Sequence, residues 1–205
     1  MDWNHYMFPC IGSTIGPCFE FREFMDFLNL RGASENIPTH RLLIPGLVRL
    51  SHFLGFAALY LAIQAAYDDR LLDAAWVANA SLFQINVCVW ALLMVTEFML
   101  ISGFCSQEAN MIASGFGYRP AKKIERDGVV TEKPENLNSV RTIDAAGAIF
   151  GASFGDFTPN WNISVHLWLK YYVMIRLMDR KAPKGKMQIL PLVLTFMASG
   201  VWHGI

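Results

Sequence analysis

Residues 42–67 read LLIPGLVRLSHFLGFAALYLAIQAAY, an apolar run whose only ionisable groups, tyrosine phenols aside, are Arg49 and His52. A bilayer core about 30 Å thick needs roughly 20 such residues per helical crossing, so the run predicts a transmembrane helix. A second run, residues 74–104, carries Glu97 as its one charged side chain and predicts another. Arg49 lies early in the first run, where its long stem can carry the guanidinium to the interface. Glu97 can pair with Arg49 or His52 across the two helices, and a structural pair is favoured over a proton relay.

Composition agrees with this class. Of 205 residues, 54% are hydrophobic and 17% charged, which excludes a disordered chain and an ordinary highly charged soluble domain. Seventeen basic residues balance seventeen acidic ones, and no Lys/Arg tract is interleaved with aromatics, so nucleic acid is excluded as a partner. Cys10, Cys18, Cys88 and Cys105 form no CxxC pair and no Cys/His cluster of metal spacing; they read as small hydrophobes, with no metal site.

Charge orients the spans. The connection between them holds Asp68, Asp69 and Asp73 against Arg70, whereas residues 119–141 hold six Lys/Arg against four Asp/Glu. The positive-inside rule places the second loop in the cytosol and the acidic turn on the other side. Residues 176–186, with Arg176, Arg180, Lys181, Lys184 and Lys186 against Asp179, are a second cytosolic candidate. Between these basic segments the apolar stretches are short, with 155–160 as a turn-like break, so 142–178 are expected to form re-entrant or interfacial helices. Such backbone survives at membrane depth where it lines a cavity.

The expected fold is therefore all-α and polytopic: one membrane domain over residues 1–205. Residues 1–41 form an interfacial helix broken at Gly16-Pro17, 42–67 and 74–104 cross, 105–141 are a cytosolic loop with a low-structure linker at 122–138, and 187–205 cross again. An apolar run that stops at Ile205 would leave a carboxylate at membrane depth, so the chain is expected to continue. The first residues lack a signal-peptide pattern, which leaves targeting to the internal spans.

Three polar features stand in apolar surroundings. His203, in Trp202-His203-Gly204, lies sixteen residues beyond Met187, about 24 Å along a helix and deep in the membrane. An ionisable group there is either functional or a neutral imidazole bonded to a backbone carbonyl. Gly200 and Gly204, four apart, offer close approach to a ligand or a small-residue packing face. Asn162 opens an aromatic run; it can stabilise an oxyanion or hold a carbonyl, cap a helix, or belong to the formal sequon with Ser164. Position alone favours the cap. Trp161, Trp168, Tyr172 and Arg176 fall near one helical face, as an aromatic belt or as a binding groove.

Taken in order, Trp161-Asn162-Ile163-Ser164, Trp168-Leu169, Tyr172, Arg176 and, 41 positions after Asn162, Trp202-His203-Gly204 resemble the signature of the membrane-bound O-acyltransferase family. The match is to its lysophospholipid acyltransferase branch, to which Gly16-Pro17-Cys18-Phe19 and Gly115-Phe116-Gly117-Tyr118 are also similar. Ser164 stands where threonine is common, and Gly200-Val201 where alanine and an aromatic are usual. The resemblance implies a multi-pass protein of the endoplasmic reticulum membrane that moves an acyl group from acyl-CoA, as co-substrate, to the free hydroxyl of a lysophospholipid, with no bound cofactor. It implies His203 as general base, Asn162 as the group that orients the reactants, and Trp161, Trp168, Tyr172 and Trp202 as substrate-binding residues. Burial would keep the imidazole unprotonated. Two other readings stand beside it: the same fold acting on a sterol, diacylglycerol or peptide, and a non-catalytic helical bundle or transporter module. Oligomeric state is not legible.

Overall fold

A computed structural model describes residues 19–67, 70–71, 73–126, 129–179 and 188–204. The Gly16-Pro17 break, Cys10, Cys18, half of the acidic turn (68, 69 and 72) and residues 180–187 of the second basic segment lie outside the described residues. Contacts group the described residues mainly into two compact units, Glu20–Val140 and Arg141–Ile205.

The first unit begins with α1 (Phe21–Leu28), which buries Phe24. Phe27 of the same helix meets Phe116 edge to face, ring centroids 5.2 Å apart. Its body is a pair of long helices, α2 (Thr39–Tyr67) and α4 (Leu82–Ser114), both long and apolar enough to cross a membrane. They pack on each other and leave their other faces uncovered: Leu54 and Leu61 of α2 are 58% and 59% exposed, Trp90 and Leu93 of α4 65% and 60%. A water-soluble core would not tolerate such continuous apolar surface, whereas lipid covers it at no cost.

The second predicted span is not one helix. A short α3 (Ala74–Asn79) is capped by the Asp73 carboxylate, which accepts from the Ala75 and Trp76 N–H groups at 2.9 and 3.2 Å. At Ser81 a capping box starts α4 afresh: the Ser81 hydroxyl accepts from Gln84 N–H, and the Gln84 side chain accepts from Ser81 N–H. At its other end α4 runs to Ser114, so the loop expected from residue 105 starts ten residues late. Gln107 and Glu108, which fall within the expected loop, are helical and buried. Glu108 Oε2 accepts from Arg49 Nε and Nη2, each at 2.7 Å, and from Asn138 Nδ2 at 2.7 Å.

This network also corrects the pairing expected of Glu97. The helices run antiparallel with Phe56 beside Phe98 and Gly46 beside Ile112, a register that sets Arg49 level with the Glu108 turn and far from Glu97. Arg49 therefore does not snorkel; its side chain keeps 14% exposure and the Glu108 side chain none. An ion pair buried this way adds little net stability but leaves an uncompensated charge if either member is lost.

Gly115 ends α4 in the left-handed region, φ +79°, its N–H bonded to Ile112 O at 2.9 Å. A Cβ there would stand 2.6 Å from Ile37 Cγ2. Gly115→Ala is expected to lower the thermal unfolding midpoint, with a cost of about 1–2 kcal/mol from the backbone conformation alone. An unchanged midpoint, read by intrinsic tryptophan fluorescence of the purified protein, would contradict this.

The low-structure linker is corrected as well. Strands β1 (Lys122–Arg126) and β2 (Val129–Lys133) pair antiparallel, Lys122 opposite Lys133 and Ile124 opposite Thr131, the one departure from an all-α fold among the described residues. Asp127-Gly128 between them is a hairpin signal present in the sequence. Beyond the hairpin, Glu135 pairs with Arg41 at 2.7 Å. Burial, followed by the neighbouring Glu135 carboxylate, pushes the Tyr118 phenol above its ordinary range, so it remains protonated.

The second unit is a run of short helices followed by a longer one. Helix α5 (Ala145–Phe150) starts at Asp144, which accepts from Gly147 N–H and pairs with Arg141 at 2.9 Å. The expected break at 155–160 is partly helical: α6 (Phe154–Phe157) is one turn capped by Ser153. Then come α7 (Ile163–Trp168), a π-helical segment over Leu169–Met174, and α8 (Ile175–Leu177). The apolar α9 (Ile189–His203) packs back against the π segment. Gln188 ties the two strokes of this helical hairpin together, accepting from Asp179 N–H at 2.8 Å and donating to Asp179 O at 3.0 Å.

Candidate functional site

Within the second unit, the stretch from α6 to the π segment and α9 line an open cavity of about 520 Å³, a size that takes a small ligand or part of a lipid. Asn162 and His203 both line it. One wall is apolar, with Phe154, Phe157 and Trp161; Trp161 stacks on Phe157 at 5.4 Å between centroids.

Asn162 stands at the N-cap of α7 with φ +42° and ψ +53°, left-handed backbone that is uncommon outside glycine and that asparagine tolerates best. The conformation is held from both sides. Ile163 N–H donates to Thr142 O at 2.8 Å, and Asn160 O accepts from Asp144 N–H at 2.9 Å, so the segment is fixed to the strand of chain before α5. Gly147 permits that approach; a Cβ there would lie 2.5 Å from the Asn160 side chain. Although Asn162 occupies the capping position, its side chain makes no capping bond, and its buried Oδ1 has no hydrogen-bond partner. The cap reading is therefore set aside: backbone strain and an unpaired buried carbonyl both mark a carboxamide kept available, since neither contributes to stability. The sequon reading is also disfavoured, because Ser164 is buried with its hydroxyl unpaired.

His203 sits in the last turn of α9, whose 15 residues span about 22 Å, close to the expected depth along the helix. The burial expected of it is not found: His203 is exposed at the cavity, because a terminal turn has fewer neighbours than a helix interior. Gly204 is the left-handed C-cap of α9, φ +87°, and a Cβ on either Gly200 or Gly204 would meet nothing within 4 Å. Their four-residue spacing thus marks no packing face among the described residues.

The predicted aromatic groove is only partly assembled. Trp161 lines the cavity, while Trp168 and Tyr172 do not. Tyr172 is 41% exposed and holds the Arg176 guanidinium over its ring at 4.9 Å. The stripe assumes one helix from Trp161, but the helix starts only at Ile163 after the left-handed Asn162, and the π segment from Leu169 shifts the phase again before Tyr172. Residues four apart, Asn162, His166, Lys170 and Met174, face the cavity instead. The Trp202 side chain lies outside the described residues. Opposite, α9 contributes Thr195 and Ser199 at four-residue steps before His203. Sequence reasoning missed His166, Lys170, Thr195 and Ser199; the last two, spaced as a polar stripe on an otherwise apolar helix, were detectable.

A membrane-embedded helical protein that presents a carboxamide and an imidazole to one apolar cavity is the class these features define. The chain belongs to the membrane-bound O-acyltransferase family, whose sequence model matches residues 1–205. It is 25% identical over 209 residues to a lysophospholipid acyltransferase of Schizosaccharomyces pombe, an alignment that covers 98% of this chain and 38% of that protein. It is 24% identical over 219 residues to lysophospholipid acyltransferase 1 of Arabidopsis thaliana, covering 100% and 43%. With a membrane-bound acylglycerophosphatidylinositol O-acyltransferase of Homo sapiens it shares 26% over 222 residues, covering 100% and 44%. The chain therefore spans about two fifths of the length of the curated relatives it matches.

Proposed function

We propose that the whole protein is an acyl-CoA-dependent O-acyltransferase whose acceptor is a lysophospholipid, working as a multi-pass protein of the endoplasmic reticulum membrane. The observation that carries the reading is the shared cavity: Asn162 and His203, 41 residues apart in sequence, line one hollow, with the Asn162 Oδ1 buried and unpaired. Family membership and the relatives' names support the reaction class and the acceptor.

In this reaction the His203 imidazole takes the proton of the acceptor hydroxyl as its oxygen attacks the thioester carbonyl. Because the hydroxyl's single proton goes to His203, Asn162 serves as a donor, its carboxamide turned so that Nδ2–H faces the tetrahedral oxyanion. Collapse breaks the carbon–sulfur bond, and the proton held by His203 goes to the leaving thiolate, giving free CoA and a diacyl phospholipid. Phe154, Phe157 and Trp161 give the cavity an apolar wall suited to the acyl chain.

Microsomes from cells expressing the full-length protein, supplied with labelled oleoyl-CoA and a panel of acceptors, test this. Transfer to lysophospholipids is expected to exceed transfer to sterol, diacylglycerol or a peptide by at least about tenfold, a margin that needs only one or two well-made polar contacts. Predominant labelling of a sterol, a neutral glyceride or a peptide would replace the acceptor assignment, and no transfer above vector control would favour a non-catalytic bundle.

A further inference from the structure

We propose that His166 and Lys170 form a phosphate-binding subsite for the acceptor, seating the phosphodiester of the lysophospholipid one to two helical turns from the reacting hydroxyl. The inference rests on the acyl-transfer reading and assigns a place in the cavity to one part of one substrate.

Charge comes first. Among the described residues lining the cavity are Lys170, His166 and His203, and no Asp or Glu. With the Lys170 ammonium as the one formally charged group on this lining and no carboxylate to oppose it, the lining favours an anion. The His166 ring makes no hydrogen bond or ion pair among the described residues, and the Lys170 Nζ rests over the Tyr171 ring, 5.6 Å from its centroid, a contact that leaves its N–H groups able to donate.

Spacing then separates the two phosphate sources. His166 and Lys170 follow Asn162 by four and eight residues on the cavity face, about 6 Å and 12 Å along the helix. In a lysophospholipid, four bonds of about 1.5 Å separate the free hydroxyl oxygen from phosphorus, so the two lie about 5 Å apart. In acyl-CoA the whole pantetheine arm intervenes between thioester and pyrophosphate, more than a dozen bonds and about 16 Å when extended. With the reacting centre at Asn162 and His203, a phosphate at His166 matches the acceptor and falls well short of the donor. Lys170, on a flexible stem, reaches back to the same oxygens and supplies the full charge.

The test is equilibrium binding to the full-length protein in nanodiscs, using a radiolabelled lysophospholipid, the monoacylglycerol of the same chain, which lacks the phosphate, and a non-reactive thioether analogue of acyl-CoA. Wild type is expected to prefer the lysophospholipid about ten- to a hundredfold, the size of one or two charge-assisted hydrogen bonds. His166→Gln with Lys170→Gln should abolish that preference, leave the thioether affinity within about twofold, and regain part of the preference when Lys170→Arg replaces Lys170→Gln. A variant that keeps its acceptor preference, whether or not it loses affinity for the thioether, overturns the proposal; loss confined to the thioether assigns the subsite to CoA. Binding is read without turnover, so a protein with the phosphate preference but no acyl transfer would refute the catalytic reading and leave the subsite standing.

Discussion

His203→Ala in the full-length protein should lower the rate of acyl transfer by about 10²- to 10⁴-fold, the contribution of a positioned general base. The loss belongs to kcat rather than to KM, because the imidazole acts on a proton that moves only in the transition state. Structure argues that the variant folds: His203 is exposed in the last turn of α9, where truncation opens no core cavity. His203→Gln, which keeps a polar side chain of similar reach but takes up no proton, should fall as far. Activity within about threefold of wild type for either variant, assayed with saturating acyl-CoA and lysophospholipid, would remove His203 from the chemistry.

The second large effect is expected at Asn162, where the choice of substitution matters. Alanine would lose the carboxamide and also strain the left-handed backbone at φ +42°, so a drop in activity could reflect misfolding. Glycine adopts that conformation freely and removes only the side chain. Asn162→Gly should therefore keep the unfolding midpoint close to wild type while lowering kcat about 10²- to 10³-fold, the scale of losing one preorganised polar group aimed at the reacting atoms. The buried Oδ1 has no partner to forfeit, so little stability is lost with it. Unchanged kcat with a lowered midpoint would show that the residue serves the turn and not the reaction.

Much of this was legible from residue patterns, because long apolar runs and the order of a few polar residues depend little on tertiary context. A long apolar helix was expected at 42–67 and found at Thr39–Tyr67, and the short helices after residue 142 were expected from stretches too brief to span. Asn162 and His203 were singled out as polar groups among apolar neighbours, and they share a cavity. What failed depended on partners remote in sequence. Glu108 looks like a loop acid until Arg49, 59 residues away, and Asn138 are seen to enclose it. Trp168 and Tyr172 follow a 3.6-residue count from Trp161, but the helix begins only after the left-handed Asn162 and turns π-helical from Leu169, so His166 and Lys170 line the cavity instead. The strand pair at 122–126 and 129–133 was missed because charge was read as low structure, although the Asp-Gly pair at 127–128 is a hairpin signal in the sequence.

The central claim, that one carboxamide and one imidazole serve a single acyl-transfer step, is tested most directly by a double-mutant cycle on kcat/KM with Asn162→Gly, His203→Ala and the pair combined in the full-length protein. Groups that act as a unit are strongly non-additive, so the double variant should be about as active as the worse single variant. Losses that multiply across the cycle would mean that the two side chains contribute independently, and would contradict a shared reaction centre.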